Sequence, residues 1–270
     1  MPELPEVETT RRGISRHVTG QRITGLVIYQ RNLRWPVPHQ LGRKLKNQSI
    51  RSVSRRAKYL LFETAAGHLI VHLGMSGSLR IVRSDAPAQK HDHVDFVLGR
   101  KILRFHDPRR FGSIHWTRRD PLQHKLLHRL GPEPLSDAFN GRYLYGRAAS
   151  RKGSVKGFIM NSEIVAGVGN IYASEALFLS GIHPQRAANR IALNRYEKLA
   201  ASIKKVLAKA IDSGGTTLRD FLREDGRPGY FALELNVYDR AGKACRLCGQ
   251  PIRVRVLGQR SSYFCSHCQH

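Results

Sequence analysis

The stretch CRLCGQPIRVRVLGQRSSYFCSHC, residues 245–268, decides the fold of the C-terminal part of the chain. It begins and ends with Cys-x-x-Cys, and residues 249–264 separate the two pairs. Each pair lies on a tight turn that aims two sulfurs at one point, and two such pairs match a tetrahedral thiolate site for Zn²⁺. Alternating residues between the pairs predict a two-stranded hairpin with Gly258-Gln259-Arg260 at its turn. We therefore expect a small zinc ribbon.

Four cysteines are the predicted ligands of one structural zinc ion, namely Cys245, Cys248, Cys265 and Cys268. Two disulfides are the alternative, which is weak because disulfides are rare in the cytosol, where the other features of the chain place it. His267 and His270 are alternative ligands, but four thiolates already fill the coordination shell. Without an open position, the ion is expected to hold the shape of the ribbon and to take no part in chemistry.

The chain carries a large excess of positive charge. Lys and Arg number 46 against 20 Asp and Glu, which gives a net charge of +26 over 270 residues. Such an excess causes self-repulsion in a compact protein, and a polyanionic partner relieves it. Basic residues occur in every third of the chain, which favours a broad basic surface suited to a long duplex. An anionic membrane and simple solubility are the weaker alternatives, and charge alone does not distinguish DNA from RNA.

Neither a membrane span nor a secretory signal is predicted. No apolar run reaches the length of about eighteen residues that a membrane helix needs. The N-terminus lacks the basic and apolar regions of a signal peptide. We expect a cytosolic protein that binds no membrane, and a monomer, since nothing in the sequence indicates oligomerisation.

The apolar pattern changes from strands to helices along the chain. Residues 22–131 contain short β-branched and aromatic runs separated by turn residues, which is typical of a sandwich or barrel. A short helix is predicted over 7–18, after the proline-rich start. The proline-rich segment 130–139 is the predicted domain boundary. Helical spacing follows in three segments, at 154–165, 170–181 and 192–215.

The N-terminal residues MPELPEVETT are acidic in an otherwise basic chain. Methionine before a small residue is normally removed, which leaves Pro2 with a free secondary amine. An α-amino group is far less protonated at neutral pH than a lysine amine, so it is a ready nucleophile for a carbonyl-like carbon. The product is a charged iminium, and the neighbouring Glu3 and Glu6 are placed to move protons. The alternative is an acidic, disordered start without chemistry.

Nine motifs resemble those of the bacterial formamidopyrimidine-DNA glycosylases. They span residues 2–268 in the order PELPEVET, RRAKYLL, HLGMSGSLR, KHDH, DPRRFG, LGPEPL, GVGNIYASE, GGTTLRDF and the two cysteine pairs. The resemblance implies a bifunctional repair enzyme of the bacterial cytoplasm. It implies excision of oxidised purines (8-oxoguanine and formamidopyrimidines) from duplex DNA through a Pro2 Schiff base. Cleavage of the abasic strand by β,δ-elimination is then expected.

The resemblance also implies a multidomain α+β fold. The expected parts are a β-sandwich catalytic domain at 1–131, a helical domain with a helix–two-turns–helix motif at 132–234, and a zinc finger at 235–270. Pro2 matches the nucleophile and Glu3 the acid/base that assists opening of the sugar ring. Lys58 matches the proton donor for β-elimination, and Arg260 matches the arginine that grips phosphate and serves δ-elimination.

Six further residues match DNA contacts of the family. Three of them match the side chains that fill the gap left by an extruded base, namely Met75, Arg109 and Phe111. An apolar wedge and an aromatic plate restore some of the stacking lost on base flipping, and Arg109 is placed to bond the orphaned cytosine. The other three match DNA-backbone contacts, namely His91, Arg151 and Asn170. The segment 214–230 matches the loop that closes over the flipped base.

Three other functions compete with this one. An endonuclease VIII-like glycosylase for oxidised pyrimidines shares the N-terminal proline and the helical motif, but Leu4 and the three gap-filling residues favour the purine enzyme. A non-catalytic zinc-containing protein that binds damaged DNA explains the charge and the cysteines but not the N-terminus. A ribosome-associated RNA-binding protein explains the charge alone.

Overall fold

A computed structural model describes residues 2–214 and 235–270 of the chain. The described residues form two compact units, 2–128 with 213–214, and 129–212 with 235–270. The expected boundaries at 131 and 234 stay predictions. Most of the segment predicted to close over a flipped base, 214–230, lies outside the described residues.

The first unit begins with helix α1, Leu4–Val18. The helix starts three residues before the predicted one because Pro5 occupies its first turn, where the missing N–H would have had no helical partner. Glu3 is the N-cap residue and forms a capping box with Glu6. The expected alternative of a disordered start is therefore wrong for residues 2–18.

Two four-stranded antiparallel sheets follow, as the predicted β-sandwich requires. The first has the order β1-β6-β7-β5, with β1 Gly25–Ile28, β5 Ser78–Arg83, β6 Asp92–Leu98 and β7 Lys101–His106. The second has the order β2-β3-β4-β8, with β2 Ser52–Arg56, β3 Tyr59–Thr64, β4 Gly67–His72 and β8 Ser113–Thr117.

One hydrophobic core joins α1 to both sheets. Ile14 of α1 packs with alternate residues of the strands, such as Phe62 of β3 and Phe105 of β7, and all three are almost fully buried. Burial of each such side chain contributes about 1.5–3 kcal/mol. A short helix, α2 at Leu41–Leu45, was not predicted, and its two terminal leucines face the same core.

The second unit contains four α-helices among its described residues: α3 Gly141–Ala148, α4 Val155–Met160, α5 Asn170–Leu179 and α6 Leu193–Asp212. A 3₁₀ helix at Ala188–Arg190 precedes α6. Helices α4, α5 and α6 lie where helical spacing predicts them, although α4 ends at Met160 and not at residue 165. Helix α3 was missed because it is short and contains two glycines. Its N-cap Asn140 accepts a hydrogen bond from the Tyr143 N–H.

The predicted zinc ribbon is present as a hairpin of β9, Arg253–Leu257, and β10, Arg260–Phe264. Its turn consists of Gly258 and Gln259, both with positive φ, so Arg260 is the first residue of β10. Among residues 2–214 and 235–270, no helix is long and apolar enough to cross a membrane.

Candidate active site and nucleic-acid interface

The start of α1 buries the two residues predicted to begin the chemistry, Pro2 and Glu3. The Glu3 side chain accepts a hydrogen bond from the Glu6 N–H, and the Glu6 carboxylate accepts one from the Glu3 N–H at 2.8 Å. This reciprocal pairing satisfies two N–H groups that a helix start leaves unpaired. The Glu3 carboxylate is thereby fixed in a helix cap directly beside Pro2, where proton exchange with a reacting group is feasible.

Lys58 lies in the two-residue turn between β2 and β3, and Arg55 ties this turn to α1. The Arg55 Nη1 donates to the carbonyl of Ala57 at 2.8 Å, while its Nε donates to Glu8 of α1 at 3.2 Å. Ala57 has a positive φ of 53°, which is unfavourable for a residue with a Cβ. The Arg55 contacts therefore hold a strained turn that presents Lys58. Neither Arg55 nor Glu8 was predicted from the sequence, although both lie within the family motifs.

Glu8, which joins α1 to Arg55 and the Lys58 turn, remains ionised. Burial raises the pKa of Glu8, but hydrogen bonds and charges from Arg11, Arg12 and Arg55 outweigh burial and hold the pKa below its usual range. The shortest contact joins Arg11 Nη2 to Glu8 Oε1 at 2.8 Å.

His72, at the end of β4, lies next to the Lys58 turn. Burial and then the positive charge of Lys58 lower the pKa of His72 to about 4, so its ring is neutral at neutral pH. The His72 Nδ1 accepts a hydrogen bond from the Gly74 N–H at 3.0 Å, and its ring packs against Tyr59 with centroids 4.7 Å apart. The ring thus orients the turn that carries Met75.

Met75 and Phe111 lie on two loops that touch through their backbones. A Cβ added to Gly74 would lie 2.3 Å from the nitrogen of Gly112, so only glycine permits this approach. Phe111 is 41 % exposed, and the guanidinium of Arg109 lies 4.8 Å above its ring. The structure therefore brings the three predicted gap-filling residues together outside the core.

His91 immediately precedes β6 and a buried cluster of charges. Its carbonyl accepts a hydrogen bond from the Asp107 N–H at 3.0 Å, and its ring lies 6.0 Å from that of His106. Asp92 pairs with Arg80 at 2.8 Å and with Arg104 at 3.3 Å. These contacts fix the backbone beneath His91, the predicted phosphate contact.

The four cysteine sulfurs form one cluster. All lie within 4.8 Å of one another, with Cys248 and Cys265 at 3.5 Å and Cys245 and Cys268 at 3.9 Å. Tetrahedral coordination with Zn–S bonds of about 2.3 Å places sulfurs about 3.8 Å apart, so the donor set fits one zinc ion. Burial of Cys245 is outweighed by the N–H groups of Leu247 and Cys248, which lower the pKa of Cys245 to about 7, whereas burial raises the pKa of Cys268. Thiolates are the form that binds zinc.

Arg260 is exposed at the hairpin, and the next peptide is held from the helical part of the same unit. The Ser261 carbonyl accepts hydrogen bonds from Lys156 Nζ at 3.1 Å and from Asn170 Nδ2 at 3.0 Å. Lys156 is only 1 % exposed and also donates to Ser262 Oγ at 2.8 Å. A pocket of about 250 Å³ is lined by both Lys156 and Arg260. Asn170, predicted to bind phosphate, thus contacts the residue after Arg260. The sequence analysis did not predict that Lys156 holds the same part of the hairpin.

Arg151 does not line that pocket, but it lines an adjoining depression of about 490 Å³ that shares Ser154, Gly157 and Asn161 with it. The Arg151 carbonyl accepts a hydrogen bond from the Asn189 N–H at 3.0 Å. The catalytic candidates also divide between the units, because Pro2, Glu3 and Lys58 belong to the first and Arg260 to the second.

Glu175 of α5 was not predicted, yet its carboxylate binds the backbone of residues 236–238, which precede the zinc ribbon. Its buried carboxylate accepts four hydrogen bonds of 2.8–2.9 Å, from the N–H groups of Asn236, Val237 and Tyr238 and from Asn236 Nδ2. The only feature of the sequence that could have drawn attention to Glu175 is its position as the last residue of the motif GVGNIYASE.

Three family models match successive parts of the chain. Residues 1–114 match the formamidopyrimidine-DNA glycosylase N-terminal domain, and residues 130–222 match the H2TH domain of the same family. Residues 242–270 match a zinc finger found in FPG and IleRS.

Relatives resemble the chain over its whole length. A formamidopyrimidine-DNA glycosylase from Nitrosococcus oceani is 56% identical over 271 residues and covers 100% of both chains. The Lactococcus lactis Fpg (MutM), solved with DNA containing N7-benzyl-Fapy-dG, has a TM-score of 0.93, 34% identity and 100% coverage of both chains. The MutM (Fpg) protein of Thermus thermophilus has a TM-score of 0.88 and 37% identity, and covers 99% of this chain and 98% of that one.

Proposed function

The chain belongs to the formamidopyrimidine-DNA glycosylase family, and we propose that the amine of Pro2 is its nucleophile. Its function is base-excision repair. It is a DNA glycosylase with abasic-site lyase activity that removes oxidised purines from duplex DNA. Its zinc finger holds one structural zinc ion through the four cysteines.

The proposed reaction begins when the Pro2 nitrogen, freed by removal of Met1, attacks C1′ of the damaged nucleotide. A bond forms between that nitrogen and C1′, the bond from C1′ to the base breaks, and the electron pair leaves with the base, which takes a proton from solvent. The attached nitrogen gives up its own proton to the Glu3 carboxylate, which restores the nitrogen lone pair. Glu3 donates a proton to the sugar ring oxygen as the ring opens, and the nitrogen lone pair completes the iminium. The capping box of Glu3 and Glu6, which fixes the Glu3 carboxylate beside Pro2, is the observation that carries this proposal.

The iminium then acts as the electron sink for strand cleavage. Loss of a proton from C2′ expels the 3′ phosphate, and loss of a proton from C4′ then expels the 5′ phosphate. We assign proton transfer in the first elimination to Lys58 and in the second to Arg260. The strained turn held by Arg55 supports the first assignment, and the exposed hairpin position beside Lys156 supports the second.

The proposed DNA contacts are a gap-filling set and a set of phosphate contacts. Met75, Arg109 and Phe111 fill the gap left by the flipped nucleotide, because a flipped base costs a few kcal/mol of stacking and pairing that inserted side chains partly restore. The phosphate contacts proposed are His91, Arg151 and Asn170. For location we propose the bacterial cytoplasm, in association with DNA.

Borohydride trapping on an 8-oxoguanine duplex tests the nucleophile. The expected result is a covalent adduct whose mass maps to Pro2, together with a strand nick. Tight binding without an adduct or a nick would refute the catalytic proposal and favour a damage-binding protein. The matched control carries a removable N-terminal extension, which should abolish nicking and largely spare binding. Removal of the extension to restore Pro2 as the first residue should restore nicking.

A parallel duplex containing thymine glycol tests the substrate class. We expect faster excision of 8-oxoguanine, since the gap-filling set of Met75, Arg109 and Phe111 matches the purine enzymes. Preferred excision of thymine glycol would favour the endonuclease VIII-like alternative.

A further inference from the structure

Asp107 is a fully buried carboxylate that takes no part in the proposed chemistry. It lies at the start of loop 107–112, which carries Arg109 and Phe111, and its exposed fraction is 0%. A buried charge is costly unless hydrogen bonds satisfy it, so its partners indicate what it does.

The Asp107 carboxylate bonds to both loops of the gap-filling set. Its Oδ2 accepts a hydrogen bond from the Gly112 N–H at 2.7 Å, which closes loop 107–112 on itself. Its Oδ1 accepts one from Ser76 Oγ at 2.9 Å, which reaches across to loop 73–77. The Arg109 N–H lies 3.3 Å from both Asp107 Oδ1 and Ser76 Oγ.

Other contacts support each of the two loops. The Gly77 N–H donates to the Leu73 carbonyl at 2.9 Å, so loop 73–77 is itself a closed turn with Met75 at its tip. The carbonyl of Asp107 lies 2.7 Å from His93 Nε2, which fixes the other loop to β6.

We propose that Asp107 and Ser76 form a clasp that positions Met75, Arg109 and Phe111 as one rigid unit. The clasp touches neither substrate nor reacting atoms, and it acts by locking the two loops that present those side chains. This inference rests on the proposed role of the three residues in filling the gap opposite the flipped base.

Three variants test the clasp, and Arg109→Ala tests the gap-filling role on which it rests; each variant is measured in two assays. The first assay measures base release from 8-oxoguanine opposite cytosine and opposite adenine. The second measures nicking at a preformed abasic site in single-stranded DNA, which has no opposite base and so does not need the gap-filling residues. Asp107→Ala should lower base release opposite cytosine by about tenfold or more, since small displacements of positioned groups have effects of that size. Its preference for cytosine over adenine should also fall, while single-strand nicking stays near wild type.

Asp107→Asn is the matched control. Its amide oxygen can accept from the Gly112 N–H, and its NH₂ can donate to Ser76 Oγ, because a hydroxyl both donates and accepts. We expect near wild-type base release and cytosine preference for this variant. Ser76→Ala removes only one hydroxyl and keeps the hydrogen bond between Asp107 and the Gly112 N–H. It should lower base release and cytosine preference as Asp107→Ala does, but by less.

The outcomes distinguish failure of the clasp from failure of the proposed gap-filling role. Wild-type base release and cytosine preference in both Asp107→Ala and Ser76→Ala, with a loss in Arg109→Ala, would overturn the clasp alone. Wild-type behaviour of Arg109→Ala as well would overturn the gap-filling role, and the clasp with it. An equal loss of both activities in Asp107→Ala, with Ser76→Ala unaffected, would also overturn the clasp, because it would show a general loss of folded protein.

Discussion

Replacement of Gly74 by alanine should destabilise the first unit much more than the same change at Gly99. Both glycines have positive φ, 71° at Gly74 and 69° at Gly99, so alanine costs about 1–2 kcal/mol at either position. Around Gly99, an added Cβ meets nothing within 4 Å. At Gly74 it would lie 2.3 Å from the Gly112 nitrogen and 2.4 Å from the Phe111 carbonyl carbon. These are backbone atoms, so the two loops have to separate.

The cost of separation follows from the contacts that it breaks. The hydrogen bond from the Gly112 N–H to Asp107 is a charged one at 2.7 Å, and such bonds contribute about 1.5–3 kcal/mol. Forcing extra atoms into a packed site costs a further 1–3 kcal/mol or so. Gly74→Ala should therefore lower the free energy of unfolding by about 3.5–8 kcal/mol, and Gly99→Ala by about 1–2 kcal/mol.

Urea unfolding followed by tryptophan fluorescence measures this difference directly. The chain has two tryptophans, Trp35 and Trp116, and both lie in the first unit with the two glycines. We expect the two variants to differ by at least about 2 kcal/mol at equal denaturant slope. A difference within about 0.5 kcal/mol, the usual range for harmless substitutions, would refute the claim that the loops are in backbone contact at Gly74.

Three further predictions concern the stability of the second unit, the removal of the zinc ion, and the loss of stability at low pH. Glu175→Gln should release zinc to a chelator faster and lower the melting temperature, because two N–H donors lose their acceptor at about 1–3 kcal/mol each; the exposed Glu197→Gln is the control. Zinc removal should weaken duplex binding in a gel-shift assay and leave the tryptophan unfolding curve of the first unit unchanged. The neutral His72 ring, with its pKa lowered to about 4, stabilises the fold above pH 6.5, and this contribution of up to about 3 kcal/mol is lost as pH falls toward 4. His72→Asn, whose side-chain oxygen can still accept from the Gly74 N–H, should therefore lose less stability than wild type between pH 7 and about pH 4 in the same urea assay.

Local chemistry made the zinc ribbon predictable from the sequence. The spacing of Cys245, Cys248, Cys265 and Cys268 constrains a short segment, and alternation between the pairs gives the hairpin. The predicted turn included Arg260, whereas the observed turn has only Gly258 and Gln259. Gln259 adopts a positive φ, which glutamine rarely does, so the sequence did not indicate a two-residue turn. The long amphipathic helix α6 was predictable for a similar reason, since its period of apolar residues is regular over 20 residues.

Burial of polar side chains was not predictable, because it depends on segments that are distant along the chain. Asp107 meets Ser76 across 31 positions, and Lys156 meets Ser262 across 106. No local pattern distinguishes these residues from solvated ones. The sequence also misplaced the start of α1, where two prolines suggested an irregular segment although Pro5 fits the first helical turn.

The buried acids explain how a strongly basic chain folds without losing its affinity for a polyanion. Six of its acidic side chains are buried within the described residues, namely Glu3, Glu6, Asp92, Asp95, Asp107 and Glu175. They bond to internal donors, such as the backbone N–H groups at Glu175 and the buried Arg104 at Asp95. Acids that satisfy internal donors do not form ion pairs with surface lysines and arginines, so those cations stay available to phosphate. Phosphate contacts add affinity in proportion to the cations that the surface keeps free, so acids placed in the interior maintain both the fold and DNA binding.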